Sequence, residues 1–449
     1  MFKEEIRVVD KLRELKAQKK INNALFHRMK PVKGLSSQPA RLYGLAKVHK
    51  DVIPLRPVLS MPGSVYHPIA EVVTEWLNVV PECKINTSTQ KVSESLKNVK
   101  LDKDEVVISF DVSSLYTNVP VEEAIDICAD LLYSGKHPKP PVDKETFKDL
   151  VRLCTCNVLM KTHDGFYRQI DGLAMGSPPA PLLANGWLSK FDPSIRGNAK
   201  LYHRYMDDIL RSIKRAEVKK KLQEINKYHP FLKFTIEEEN ENHALPFLDM
   251  LIYRIGTLLH STWYNKPTDT GLVMNYHALS PRRYKRSVVA GFVYRIHRAC
   301  SSWKDFHLSL EKAKCVLERN QYPPDFYEPI MKRALENILD VEENKEEENT
   351  ACNSEKRSEE NEAEEKVKKH LTFIEYRGKV SDDFCRALKK IEAPCQPVLT
   401  LRKLKTVMPS LKPSVDHRVR SHVVYRIKSS STRELSCQVS AFQHRSIPT

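Results

Sequence analysis

Apolar residues in the opening stretch recur at helical spacing: Ile6, Val9, Leu12 and Leu15 predict an amphipathic helix. Between Pro39 and Pro68 that rhythm stops. The short runs Leu42-Tyr43-Gly44-Leu45 and Val58-Leu59-Ser60, set among prolines, predict strands joined by loops. The clearest buried strand is Val106-Val107-Ile108-Ser109-Phe110, which ends on Asp111. Pro120 followed by Glu122, Glu123 and Asp126 marks a helix start, because proline fits the first helical position and acids suit the amino end of the dipole. A second helix, rich in small residues, is predicted over about 178–191. Beyond it, Leu201-Tyr202-His203-Arg204-Tyr205 and Ile209-Leu210-Arg211-Ser212-Ile213 flank Met206-Asp207-Asp208, a hairpin with two acids at its tip. After Ser280-Pro281, Tyr284, Val288, Phe292 and Ile296 step by four along one predicted helical stripe, and Arg282, Arg283, Lys285 and Arg286 fall opposite it. Residues 341–369 hold 11 Glu among Lys, Asn and Ser and read as a disordered acidic linker. From residue 370 a basic segment resumes, with apolar clusters at Leu371-Thr372-Phe373-Ile374 and Val423-Val424-Tyr425-Arg426-Ile427.

Composition narrows the function. At 449 residues, 41% hydrophobic and 29% charged, the chain has room for two or three globular units. Its formal charge of +16 favours a polyanionic partner, nucleic acid first and an anionic membrane surface second. Residues 1–50 alone carry 13 Lys or Arg against 4 acids. No run of about 18 apolar residues exists, and the amino terminus lacks a secretory apolar core, which argues against membrane and secretory classes. The ten cysteines show no two-residue knuckle spacing and read as reduced, mostly buried thiols.

The strongest chemical constellation is Asp111 at the end of a buried strand together with Asp207 and Asp208 at a hairpin tip. Two divalent metals that stabilise the attacking and leaving oxygens of a phosphoryl displacement need carboxylates gathered from separate strands, and hard oxygen donors suit magnesium. Successive strand side chains point to opposite faces, so Asp111 and Asp207 rank as principal ligands and Asp208 as a supporting one. An isolated Asp-Asp pair would be ordinary turn chemistry. Here the order of parts points to a polymerase palm: strand ending in Asp, Gly-Ser-Pro turn into a helix, acidic hairpin.

Phe110-Asp111-Val112-Ser113-Ser114-Leu115-Tyr116-Thr117-Asn118-Val119-Pro120, Gly172-Leu173-Ala174-Met175-Gly176-Ser177-Pro178, Pro181-Leu182-Leu183-Ala184-Asn185 and Tyr205-Met206-Asp207-Asp208 resemble motifs A, B and C of a reverse transcriptase. The strings Arg41-Leu42-Tyr43-Gly44-Leu45-Ala46-Lys47-Val48-His49-Lys50 and Pro54-Leu55-Arg56-Pro57-Val58-Leu59-Ser60 are similar to finger motifs of Penelope-like retroelements. His229-Pro230-Phe231-Leu232-Lys233-Phe234-Thr235, Leu245-Pro246-Phe247-Leu248-Asp249 and Tyr264-Asn265-Lys266-Pro267-Thr268 are similar to that family's later palm motifs and thumb entry. The likeness runs over roughly residues 10–305. It implies an α+β right-hand polymerase with fingers, an antiparallel palm and a helical thumb, followed by the acidic linker and a small basic segment. The implied divisions are 1–100 for the basic helix and fingers, 101–260 for the palm, 261–335 for the thumb, 336–370 for the linker and 371–449 for the connector, the reverse transcriptase domain itself covering about 40–260.

The resemblance also implies roles. Lys47 and Arg56 would neutralise the incoming triphosphate. Tyr116 would sit under the sugar and exclude a 2′-hydroxyl, discriminating by a clash. Gly176 and Ser177, with Gln169 beside them, would line the nascent base pair, where a missing Cβ permits close approach. Lys233 would assist the leaving pyrophosphate. Arg282, Arg283, Lys285 and Arg286 would follow a duplex backbone, with Tyr284 and Phe292 in the core. Two magnesium ions, an RNA template, a DNA primer and deoxynucleotides are the implied cofactors and partners, and a nuclear location the implied setting. Leu401-Arg402-Lys403-Leu404 and His422-Val423-Val424-Tyr425-Arg426-Ile427 resemble the approach to a GIY-YIG endonuclease, but the remaining sequence lacks its catalytic Arg and Glu, so no nuclease activity is expected. Two other readings stay open: a catalytically decayed nucleic-acid-binding remnant, and an RNA-dependent RNA polymerase, against which Tyr116 counts.

Overall fold

The computed structural model of the protein describes residues 2–31, 38–46, 55–162, 165–351, 370–390, 395–400 and 442–443. The chain divides into two compact units, one built from residues 1–248, 252–259 and 429–449 and the other from 249–251 and 260–428.

The strands that organise the first unit's two larger sheets are β1 (Ala40–Ala46), β2 (Leu55–Ser60), β3 (Glu105–Val112), β4 (Leu159–Lys161), β5 (Phe166–Gln169), β6 (Tyr202–Tyr205), β7 (Asp208–Lys214) and β8 (Phe234–Glu238). Strands β6, β7, β3 and β8, in that order, form an antiparallel sheet. A second sheet runs β5-β4-β1-β2, with Phe442–Gln443 added at the β5 edge; its β1–β4 pair is parallel. Strand β3 is buried along almost its whole length, which is why it lacks the polar alternation of a one-faced strand. Its residues Val106, Ile108, Phe110 and Val112 enter the main core with Ala124, Ile125 and Cys128 of the helix Val121–Leu132 and Leu183 and Trp187 of the helix Ala180–Ser189. Asp111 therefore belongs to the opposite face. The small residues of the second helix serve close packing: a Cβ on Gly186 would collide with the Cys128 sulfur. Among the described residues the cysteines are free thiols, with Cys83, Cys128 and Cys154 buried and Cys315 exposed.

The amino-terminal helix Phe2–Ala17 forms as predicted, and Val9, Leu12 and Leu15 of the predicted stripe are buried. Val8, Leu12 and Leu15 are fully buried and Ile6 is exposed. Steps of three alone drift around a helix of 3.6 residues per turn, whereas the step of four from Val8 to Leu12 and of three to Leu15 holds one face. Glu4 lies on the buried side, taking hydrogen bonds from Tyr66 Oη (2.8 Å), Arg168 Nη2 (2.7 Å) and Arg7 Nε (2.7 Å).

In the second unit, helices Arg282–Ala299, Trp303–Arg319 and Pro324–Ala351 follow one another. The buried stripe of the first is Val289, Phe292, Val293, Ile296 and Ala299. Phe292 is core, as expected, but Tyr284 is exposed: three steps of four carry a residue about 120° around the helix. Ser302 caps the second helix, accepting from the Asp305 N–H at 3.1 Å. The third helix continues to Ala351, well inside the segment read as a disordered linker, because Glu and Lys favour helix once a packed amino-terminal part has nucleated it. Strands His370–Glu375 and Cys395–Thr400 pair in parallel around the helix Lys379–Lys390, a small β-α-β unit. The clusters at 401–404 and 422–427 lie outside the described residues. Among the described residues no helix is long and apolar enough to cross a membrane.

Candidate active site

Tyr205 and Asp208 pair directly, so Met206 and Asp207 make a two-residue turn between β6 and β7. Asp208 also lies across from Asp111 in the β3–β7 register. Residues opposed in an antiparallel pair point to the same face, so these two carboxylates emerge side by side from the face away from the core helices. Asp207 occupies the turn itself, and its carbonyl accepts the Val112 N–H at 3.2 Å, which ties the turn to the end of β3. The conflict raised by alternating strand faces is thus resolved by the turn: only Asp208 is a strand residue.

Tyr116 follows on a single helical turn, Leu115–Asn118, entered through Ser114 in the left-handed region (φ 52°). Its ring is half-buried. Burial first, then the Asp207 charge and Tyr205, push its hydroxyl up to about 12. The Tyr116 hydroxyl thus shares its surroundings with the Asp207 carboxylate. Its carbonyl accepts the Leu173 N–H at 2.6 Å, which joins it to the Gly172–Ser177 loop. That loop is joined in turn to β2, where Leu59 N–H donates to the Met175 carbonyl at 2.7 Å. Gly176, at φ 100°, has the Leu59 carbonyl oxygen where a Cβ would project, so both backbone angle and space demand glycine.

Ser177 and Gln169 are buried beside this loop; Gln169 donates to the Gly172 carbonyl, while its Oε1 and the Ser177 hydroxyl have no partner among the described residues. Arg56 is exposed on β2 opposite Leu45. Lys47 lies outside the described residues. Lys233 begins the approach to β8: its carbonyl accepts the Ser113 N–H at 2.8 Å, and its ammonium donates to the Asn226 carbonyl at 3.0 Å.

A buried support beneath the turn escaped sequence reasoning. Arg204 is wholly buried, and its guanidinium grips both Asp192 oxygens (2.8 Å each), donates to Asn185 Oδ1 (2.8 Å) and reaches the Met206 carbonyl (3.3 Å). Arg204 is the one buried position of β6, whose other residues are partly or fully exposed, and a guanidinium buried there requires a carboxylate partner. Tyr202 Oη donates to the same Asp192 at 2.6 Å.

Among the described residues, no three His, Cys, Asp or Glu side chains gather into a ready-made metal cluster. The donor set nevertheless suits magnesium, which commonly takes one or two carboxylates and completes its shell with substrate phosphates and water.

In the second unit, Arg282 lies over the Phe326 ring (5.2 Å), Lys285 over Tyr276 (5.3 Å) and Arg283 over Tyr284 (4.9 Å). Arg286 is exposed. No acid occurs in this helix to neutralise them.

An antiparallel sheet that carries one acid at the end of its central strand and two more at the adjoining hairpin defines a right-hand polymerase palm. Residues 16–239 match the family described as reverse transcriptase (RNA-dependent DNA polymerase), so the chain carries a reverse transcriptase domain. Residues 272–332, which include two of the second unit's helices, match the animal helix-turn-helix domain. No curated protein matches. Solved structures similar to the chain include telomerase from Candida albicans with a telomeric RNA fragment (10% identity, TM-score 0.43, 65% of this chain and 56% of that one). Others are apo telomerase from Candida tropicalis (12%, 0.38, 69% and 60%) and the Sicinivirus 3Dpol RNA-dependent RNA polymerase (13%, 0.39, 71% and 71%). The chain thus spans rather more than half the length of the telomerases it matches.

Proposed function

We propose that the protein is an RNA-directed DNA polymerase of the Penelope-like type, extending a DNA primer with deoxynucleotides along an RNA template. The observation that carries this reading is the placement of Asp111 across from Asp208, with Asp207 in the adjoining turn. Asp111, Asp207 and Asp208 would hold two magnesium ions. When bound, such ions supply positive charge at the attacking and leaving oxygens. The chain's own groups do the rest. Arg56 and Lys47 grip the triphosphate, the Tyr116 ring excludes a 2′-hydroxyl, the bare backbone at Gly176 admits the nascent base pair, and Lys233 holds a proton for the departing pyrophosphate. Arg282, Arg283, Lys285 and Arg286 draw in the duplex. The finger strings at residues 41–50 and 54–60 support the Penelope-like assignment and, with it, action in the nucleus.

Extension of oligo(dT) on poly(rA) with magnesium tests the reading. Asp111→Asn and Asp207→Asn should each lower turnover at least about a hundredfold, since an electrostatic contribution of several kcal/mol is lost and each 1.4 kcal/mol is tenfold. Primer-template affinity should stay within about twofold, because phosphate contacts elsewhere supply it. Near wild-type turnover in either variant would remove the aspartates from the site.

A further inference from the structure

The acidic turn is held from two sides. Met206 adopts φ 53°, a left-handed conformation that a side chain disfavours and that persists only where its surroundings enforce it. Its carbonyl is held from beneath by the buried Arg204. Its N–H is held from the other flank, donating to Asn86 Oδ1 at 2.8 Å. Asn86 belongs to a short extended segment that adds a further rung to the open edge of β6: it bridges Tyr205 in antiparallel fashion, and the Thr87 N–H donates to the Arg204 carbonyl at 2.8 Å. The segment is itself pinned through His203, whose Nδ1 meets Thr87 Oγ1 at 3.0 Å and whose Nε2 meets Ser95 Oγ at 2.6 Å. Cys83, fully buried against Cys128 and the helix carrying Gly186, anchors its start.

We infer that Asn86 is a positioning residue for nucleotide addition, its side-chain carbonyl fixing Met206 in the left-handed conformation and so aiming the Asp207 and Asp208 carboxylates. The chemistry favours this role over a merely structural one. Asn86 is exposed, so losing its amide removes little buried surface, yet its acceptor oxygen meets the one backbone N–H whose orientation sets the direction of the next two residues. Backbone angles at one residue redirect everything after it, and Asp207 and Asp208 come next.

The inference rests on the polymerase reading, and the test separates the two. Asn86→Ala should lower kcat for primer extension about tenfold or more, a difference of the size expected when a reacting group is slightly misplaced. The KM for dTTP, primer-template affinity and melting temperature should remain close to wild type. Asn86→Asp, which keeps an acceptor oxygen in place, should recover most of the loss. Hydrogen exchange at the Met206 amide should quicken in Asn86→Ala and not in Asn86→Asp. If the wild type extends primers and Asn86→Ala keeps its kcat within about twofold, the positioning role is wrong and the polymerase reading stands. Equal losses of kcat and melting temperature in both variants would likewise overturn it, as a folding defect. A wild type that fails to extend any primer would overturn the polymerase reading, and unchanged Met206 exchange in Asn86→Ala would then overturn the clamp as well.

Discussion

Tyr116 gives the shortest path from one side chain to a biochemical outcome. Its hydroxyl, pushed up to about 12 by burial and then by the Asp207 charge, stays protonated across any usable assay pH, so the ring acts as a neutral wall. Tyr116→Ala should open space for a 2′-hydroxyl and raise ribonucleotide use relative to deoxynucleotide use by about tenfold, since 1.4 kcal/mol of relieved clash is a factor of ten. The ratio of kcat/KM for dGTP and rGTP in wild type and variant measures this, and an unchanged ratio would return Tyr116 to the core. The role read for this position came from the resemblance of residues 110–120 to a polymerase motif, since its spacing to Asp111 alone reads as a half-buried core tyrosine. Arg204 was less legible in the sequence, because its partners Asp192 and Asn185 come from elements that only folding brings beneath the turn.

At the scale of elements, the amino-terminal helix keeps its predicted face at Val9, Leu12 and Leu15 and departs from it in the first turn. Spacing located the helix, but Ile6 is outside and Glu4 inside, because Arg168 on β5 and Tyr66 give a buried carboxylate better partners than water. Burial alone would raise the Glu4 pKa; hydrogen bonds from Arg168, Tyr66 and Arg7 outweigh it and hold the carboxyl below its ordinary 4.5. A carboxyl lowered in the folded state stabilises the fold above its unfolded value, and that stabilisation is lost as pH falls through the folded value. Glu4→Gln should therefore cost about 1.5–3 kcal/mol at neutral pH, the range for hydrogen bonds to charged groups. Urea unfolding at pH 7 and at pH 3 checks this: the gap between wild type and variant should shrink at the lower pH, and a constant gap would mean the carboxylate charge is not what matters.

At the scale of the whole molecule, a net charge of +16 sets the expectation that nucleic-acid binding weakens steeply with salt. The structure divides the basic quartet unequally, since Arg282 and Lys285 rest on Phe326 and Tyr276 while Arg286 is exposed and Arg283 leans on an exposed tyrosine. Replacing Arg283 and Arg286 with alanine should therefore flatten the plot of log affinity against log salt by about two, one phosphate contact each at roughly 0.9 per charge. Replacing Arg282 and Lys285 should lower the melting temperature as well, because ring contacts are lost with the charges. Fluorescence anisotropy of a labelled duplex from low to high salt would decide it, equal slopes in all variants removing this helix from the binding surface.

The sequence by itself determined the parts and their order: the apolar strand ending on Asp111, the glycine-bearing loop, the acidic hairpin and the basic helix are local patterns, and local patterns are written in consecutive residues. The choice of Asp111, Asp207 and Asp208 among the acids came from the resemblance of their flanking strings to polymerase motifs, since other strands, such as Phe234–Glu238, also end on acids. Tertiary structure alone decided the register that sets Asp208 across from Asp111, the burial of Arg204 on Asp192, and the reach of Asn86 to Met206. Each of these joins residues distant along the chain, and their meeting depends on which edges and faces remain available once the core has closed, which no period along the sequence records.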